Sequence, residues 1–253
     1  MDLIYRQSYP ISAICVDCFG RIKPSVLLYF AQEIAGEHCL QLGTDWDTLQ
    51  KKNLFWALIR TKVQISKLPV IGQTLTIETW PMPQTRTAYP RCTVGYDESG
   101  KEMFRCISLW VLMDTQNRTM VLPGKCDVQV PGILQGTEPD APKALAVCNS
   151  QQHKQRTVTF GELDRNLHMN NTKYMDWVMD LADQHFHADN IMKEFTICYL
   201  SEIREGQNVD LAFQLDEHGI LCVDGYREKT NVPGEKERVF AAKVQFTECS
   251  VNQ

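Results

Sequence analysis

Apolar positions along this chain follow two periods, and the order of the periods repeats. The run Lys23-Pro24-Ser25-Val26-Leu27-Leu28-Tyr29-Phe30-Ala31-Gln32-Glu33-Ile34-Ala35 reads as an apolar helix. Pro24 suits its first turn and Gly43 a stop after its last. Beyond it the pattern becomes strand-like over 55–65, 74–80, 87–96 and 103–113, with polar turns at 97–101 and 115–118. A second helix is predicted over 171–182, where Tyr174, Trp177, Val178 and Leu181 fall on one stripe. Strands over 195–199, 209–215, 221–227 and 239–247 should follow it.

The repeat holds at the level of single residues. Asp17, Phe30, Glu33 and Ala35 recur 147 positions later as Asp164, Trp177, Asp180 and Ala182. Gly72-Gln73 recurs as Gly206-Gln207 at the shorter offset of 134. The expected organisation is an N-terminal unit over 1–130, a linker over 131–152 and a C-terminal unit over 153–253. An apolar helix must be covered, and an antiparallel sheet packed against it does that. The reading is therefore an α+β duplication: two long helices, each wrapped by an antiparallel sheet.

Composition narrows the function. With 26 Lys+Arg against 31 Asp+Glu the net charge is −5, which argues against a dedicated nucleic-acid binder. No stretch approaches the roughly 18 uninterrupted apolar residues of a membrane span. The start, Met1-Asp2-Leu3-Ile4-Tyr5-Arg6, carries no secretory or transit pattern. The ten cysteines are scattered and read as reduced core residues, so the expectation is a cytoplasmic protein.

The densest polar cluster precedes the second helix: Asp164-Arg165-Asn166-Leu167-His168-Met169-Asn170-Asn171. The first copy has Asp17-Cys18-Phe19-Gly20-Arg21 there, so Asn166 faces Phe19 and His168 faces Arg21. Asn170 and Asn171 read as helix caps; capping needs one side chain, so Asp164, Asn166 and His168 are left for chemistry. In an extended segment these three would point to one side, beside N–H groups at the helix start that favour an oxyanion. A second signal is Glu202, which ends the apolar run 195–199 and answers to Leu68 in the first copy.

Asp164-x-Asn166-x-His168-x-Asn170-Asn171-x-x-Tyr174 resembles the active-site signature of the acyl-acyl carrier protein (acyl-ACP) thioesterases, which are tandem hotdog enzymes of plant plastids and bacteria. Residues 55–60, 72–80 and 108–113 also look like family blocks. The resemblance implies a double hotdog fold and hydrolysis of acyl-ACP to free fatty acid, ending fatty acid synthesis. It places the catalytic residues on Asp164, Asn166, His168 and Glu202, with no cofactor and no metal. Plant members carry a Cys after the Glu; here Ile203 stands there, which removes a Cys-His-Asn mechanism. Without a plastid leader the chain looks like a bacterial member.

On this reading Glu202 deprotonates a water while Asn166, His168 and helix-start N–H groups hold the oxyanion. The rival is direct carboxylate attack through an anhydride. The acyl chain would occupy the first copy, whose helix face carries Val26, Leu27, Phe30 and Ile34. Acidic acyl carrier protein would dock on basic residues among Arg60, Lys62, Arg86, Arg91, Arg165 and Lys173. Neither nucleic acid nor membrane is expected as a partner, and a homodimer stays open.

Other signals are weaker. Gly95 to Glu102 nearly spells a phosphate-binding loop but sits between strands and reads as a hairpin. Cys15-x-x-Cys18 lacks a second pair, and His185-Phe186-His187 reads as loop. The alternatives are an acyl-CoA thioesterase, a hotdog hydratase or a non-catalytic acyl-binding sensor. Hydratases use a longer D-x-N-P-x-H spacing, and no helix-turn-helix of a sensor accompanies the repeat.

Overall fold

The structure is a computed structural model that describes residues 2–136, 140–148, 150, 152–229, 232 and 234–249. It divides into two compact units, Met1–Lys143 and Ala144–Gln253. Residues 137–139, 149 and 151 of the expected linker lie outside the described residues, as do 1, 230, 231, 233 and 250–253 of the flanking units. At the start of the expected linker, the Ile133 N–H donates to the Pro81 carbonyl at 2.9 Å, so the chain there runs along the first unit.

In the first unit β1 (Tyr5–Pro10), α1 (Pro24–Leu42) and α2 (Trp46–Gln50) precede β2 (Leu54–Ile65), β3 (Thr74–Pro81), β4 (Tyr89–Tyr96), β5 (Glu102–Asp114) and β6 (Met120–Val121). The sheet is antiparallel in the order β1-β3-β4-β5-β2, with β6 bridging to β5. Helix α1 begins and ends as predicted: Pro24 opens it, and Gly43 closes it at φ 65°. Leu27, Leu28, Phe30 and Ile34 are buried, and Phe30 stacks on Tyr9 of β1 at 4.6 Å. Residues 97–101 form the β4–β5 hairpin turn rather than a phosphate loop.

The second unit holds β7 (Gln152–Thr157), α3 (Lys173–Met179), α4 (Gln184–Asp189), β8 (Asn190–Tyr199), β9 (Asn208–Leu215), β10 (Ile220–Glu228) and β11 (Lys236–Glu248). Its order, β7-β9-β10-β11-β8, is the first unit's order over again. The expectation of two long helices is corrected here. α3 has 7 residues against the 19 of α1. The chain breaks because Asp183 accepts the Phe186 N–H and starts α4, so His185 and His187 lie on a helix rather than in a loop. Tyr174, Trp177 and Val178 are buried as expected, while Leu181 is half-buried. Tyr174 packs edge-on against Phe240 of β11 and Tyr199 of β8. Among the described residues no helix is long and apolar enough to cross a membrane.

The duplication extends to individual hydrogen bonds. Ile11 and Gln73 exchange with Gly72 the contacts that Val158 and Gln207 exchange with Gly206: Ile11 N–H to Gln73 O and Gly72 N–H to Ile11 O answer to Val158 N–H to Gln207 O and Gly206 N–H to Val158 O, all 2.9–3.1 Å. Each sheet also carries a glycine where an aromatic ring of the next strand lies flat on the backbone. A Cβ on Gly95 would stand 2.1 Å from the Phe104 ring, and one on Gly225 would stand 2.2 Å from the Phe240 ring. Both rings are fully buried and have no room to move aside. Gly95→Ala and Gly225→Ala should therefore each lower stability by about 1–3 kcal/mol through overpacking. In denaturant titrations Gly225→Ala combined with Phe240→Leu should cost less than the sum of the single changes; simple additivity would contradict the contact.

Candidate active site

The cluster that precedes α3 is a tight loop held by one carboxylate. Asp164 Oδ1 accepts the Asn166 N–H at 2.8 Å and the His168 N–H at 3.2 Å. The Asp164 N–H donates to the His168 carbonyl at 2.8 Å, and Leu167 turns the chain at φ 62°. The extended segment expected for 164–168 is thus corrected: a bend, not strand alternation, sets where these side chains go. The same loop exists in the first unit. Asp17 Oδ1 accepts the Phe19 and Arg21 N–H groups at 2.9 and 3.0 Å, with Gly20 at φ 75° in the place of Leu167. The carboxylate that both copies keep is a backbone staple.

The copies differ in what the staple presents. In the first, the Arg21 guanidinium lies 4.5 Å over the Phe19 ring and pairs with Asp17, and the counterpart of Glu202 in sequence is Leu68 rather than an acid. In the second, the His168 ring points at Glu202, Nε2 to Oε2 3.1 Å, with side-chain exposures of 13% and 40%. The Met169 N–H donates to the Ile203 carbonyl at 2.7 Å, which zips the loop to the segment carrying Glu202. Asn166 is exposed, its amide 3.4 Å from Asp164 Oδ2. Both partners of the His–Glu pair come from the second unit.

The structure thus brings His168 and Glu202 together directly, and Asp164 and Asn166 to each other. It changes the expected oxyanion donors. Asn170 Oδ1 accepts the Thr172 N–H at 3.0 Å, and the Asn170 carbonyl accepts that of Lys173 at 2.9 Å. The Thr172 and Lys173 N–H groups are therefore taken by Asn170, although Thr172, the N-cap of α3, makes no side-chain cap of its own. Asn171 does not cap by its side chain; its carbonyl accepts the Tyr199 hydroxyl at 3.0 Å.

Sequence reasoning missed the residue that holds Glu202 from behind. Arg227 of β10 donates to the Glu202 carbonyl, to Ser201 Oγ at 2.9 Å and to Glu237 at 2.7 Å. It lies 25 residues from Glu202 in the chain, and nothing in the local pattern marks it. Burial pushes the Tyr174 phenol above its usual range, so this motif tyrosine stays neutral and serves as packing.

A separate cavity of about 190 Å³ lies within the first unit. Gln32, Ala35, Gly36 and Cys39 of α1 line one wall, with Trp56, Tyr89 and Trp110 opposite. Val26, Leu27, Phe30 and Ile34, the helix face expected to hold an acyl chain, are not among its lining residues. Three of those four are buried core, and a filled face leaves no hole; space opens instead over the small residues Ala35 and Gly36. Arg91 also leaves the expected docking set, being buried between β4 and α1.

Comparison with known proteins now decides the family. The model of the acyl-ACP thioesterase N-terminal domain matches residues 2–122, and that of the C-terminal domain matches residues 146–248. The chain belongs to the acyl-ACP thioesterase family. A palmitoyl-acyl carrier protein thioesterase of Gossypium hirsutum is 24% identical over 79% of this chain and 52% of its own length. A dodecanoyl-[acyl-carrier-protein] hydrolase of Umbellularia californica is 25% identical over 79% and 56%. This thioesterase-family chain spans about half the length of the curated relatives it matches. The crystal structure of an acyl-ACP thioesterase from Bacteroides thetaiotaomicron matches with a TM-score of 0.81 at 22% identity, over 96% of this chain and 98% of that one. The 12:0-ACP thioesterase from Umbellularia californica matches at 0.83 and 20%, over 98% and 99%. The fold is the α+β tandem hotdog.

The staple and the turn can be tested by stability alone. Asp164→Ala and Asp17→Ala should each cost about 1–2 kcal/mol, because two backbone N–H groups lose their acceptor. Leu167→Gly should gain about 0.5–1 kcal/mol, since Leu167 is 71% exposed and sits in a left-handed conformation. A loss on Leu167→Gly in urea titration would contradict that account.

Proposed function

We propose that the chain hydrolyses the thioester of an acyl group carried on the phosphopantetheine of acyl carrier protein, releasing free fatty acid and the carrier thiol. The observation that carries this reading is the 3.1 Å approach of His168 Nε2 to Glu202, on a scaffold whose other copy has Arg21 and Leu68 instead. Membership of the acyl-ACP thioesterase family, and relatives described as acyl-carrier-protein hydrolases, support it.

Glu202 takes a proton from a water, whose oxygen attacks the thioester carbonyl. His168 donates from Nε2 to the carboxylate and fixes its orientation. The Asn166 amide, rather than the Thr172 and Lys173 N–H groups held by Asn170, donates to the oxyanion of the tetrahedral intermediate. Collapse expels the thiolate, which takes the proton from Glu202. Asp164 acts by positioning, through the backbone of residues 166 and 168. The acyl chain occupies the first-unit cavity, so the units divide the work: acyl chain over 1–130, catalysis over 153–253, with 131–152 between them. Carrier protein docks by charge on groups among Arg60, Lys62, Arg86, Arg165 and Lys173. The ten cysteines form no disulfide, which suits a reducing compartment, and we assign the cytoplasm.

Loss of a general base typically lowers rates by about 10²–10⁴-fold. Glu202→Gln and His168→Ala should therefore reduce kcat on acyl-ACP at least about a hundredfold, with Tm nearly unchanged. Rising salt should lower kcat/KM more than kcat. Near-normal kcat in folded Glu202→Gln would overturn the assignment.

A further inference from the structure

One buried charge in the first unit has no role in this hydrolysis. Arg91 of β4 is 6% exposed and lines the cavity between the sheet and α1. Its guanidinium reaches His38 Nδ1 at 3.2 Å, Thr79 Oγ1 at 3.3 Å and Cys39 Sγ at 3.7 Å. None of these supplies a carboxylate. His38 uses Nε2 to donate to the Asp2 carbonyl at 3.3 Å, which leaves Nδ1 as acceptor for the arginine. Burial, with the Arg91 cation beside it, holds the His38 pKa below its ordinary value, so the imidazole is neutral. The Thr79 hydroxyl donates onward to the Cys92 carbonyl at 2.9 Å.

Other poorly exposed arginines of this chain are treated differently. Arg105 pairs with Glu102, Arg227 with Glu237 and Arg238 with Asp224. A buried cation is costly unless it meets an anion, and a guanidinium is shaped for a carboxylate. The one carboxylate among the cavity-lining residues, Asp45, is taken: both oxygens accept from Thr48 at the start of α2. The rest of the wall is mostly apolar, with Ala35, Trp56, Trp110 and Val130 among it, and its other polar side chains, Gln32, Thr44 and Tyr89, carry no charge. An apolar cavity with one unneutralised cation fits an aliphatic chain that ends in an anion.

We propose that Arg91 is the receptor for an aliphatic carboxylate inside this cavity. The inference rests on the reading of the cavity as the seat of the acyl chain. Two sources share the chemistry: a free fatty acid, bound by its own carboxylate, and an acyl group carrying a second carboxylate at its far end.

The probes are octanoate and 1-octanol, titrated into the full chain by calorimetry. A charged hydrogen bond in a dry site favours octanoate by about tenfold or more. Arg91→Met should abolish that preference while keeping octanol binding, and Arg91→Lys should retain part of it. Retained octanol binding and an unchanged Tm show that Arg91→Met folds. Gly36→Leu should weaken both probes, since a Cβ at Gly36 meets nothing within 4 Å and grows into open space. The second source is read by comparing kcat/KM for carrier-linked suberyl and octanoyl groups. A suberyl preference that Arg91→Met removes assigns the acyl terminus; selective octanoate binding without it assigns the free acid. No preference for either carboxylate, or a preference that survives Arg91→Met, overturns the proposal. Octanoate binding needs no turnover, so absent hydrolysis of octanoyl-ACP by the same preparation would defeat the thioesterase reading alone.

Discussion

One carboxylate accepting two backbone N–H groups sets the geometry on which this site depends. Asp164 bends residues 164–168 into a closed loop. The Met169 N–H then ties that loop to the Ile203 carbonyl, one residue past Glu202. Those two constraints put an imidazole and a carboxylate from distant parts of the chain within hydrogen-bonding reach. The first unit keeps both, through Asp17 and through the Ile22 N–H to the Pro69 carbonyl, yet presents Arg21 and Leu68. The scaffold therefore belongs to both copies, and the His168–Glu202 pair to the second alone.

This separates two meanings of a repeated residue. Asp164 stands out in sequence as part of a candidate catalytic cluster that Asp17 answers, and the structure shows the two acids sharing a backbone duty. His168 and Glu202 were visible for the opposite reason, because their counterparts differ in chemistry. The sequence groups Asp164 with the candidate catalytic residues; in the structure its carboxylate holds two backbone N–H groups, as that of Asp17 does, while His168 and Glu202 face each other.

Most of the sheet was legible because its strands bury one face and alternate, as in β3 with Leu75, Ile77 and Thr79 inside. The strands β1 and β7 were not, since edge strands such as Gln152–Thr157 are mostly exposed and carry no apolar period. The second helix was read too long because its apolar stripe continues past Met179, and periodicity does not register that Asp183 starts a new helix. Arg227 escaped notice because its partners are distant in sequence. The sequence places Arg91 among the docking cations, because residue type alone does not reveal that α1 covers it.

The central claim is that Glu202 activates a water and does not itself attack the thioester. Single-turnover hydrolysis of acyl-ACP in ¹⁸O-water, followed by mass analysis of both products and of the Glu202-containing peptide, tests it most directly. The account predicts one labelled oxygen in the fatty acid and none in the protein. Label in the Glu202 carboxylate would contradict it.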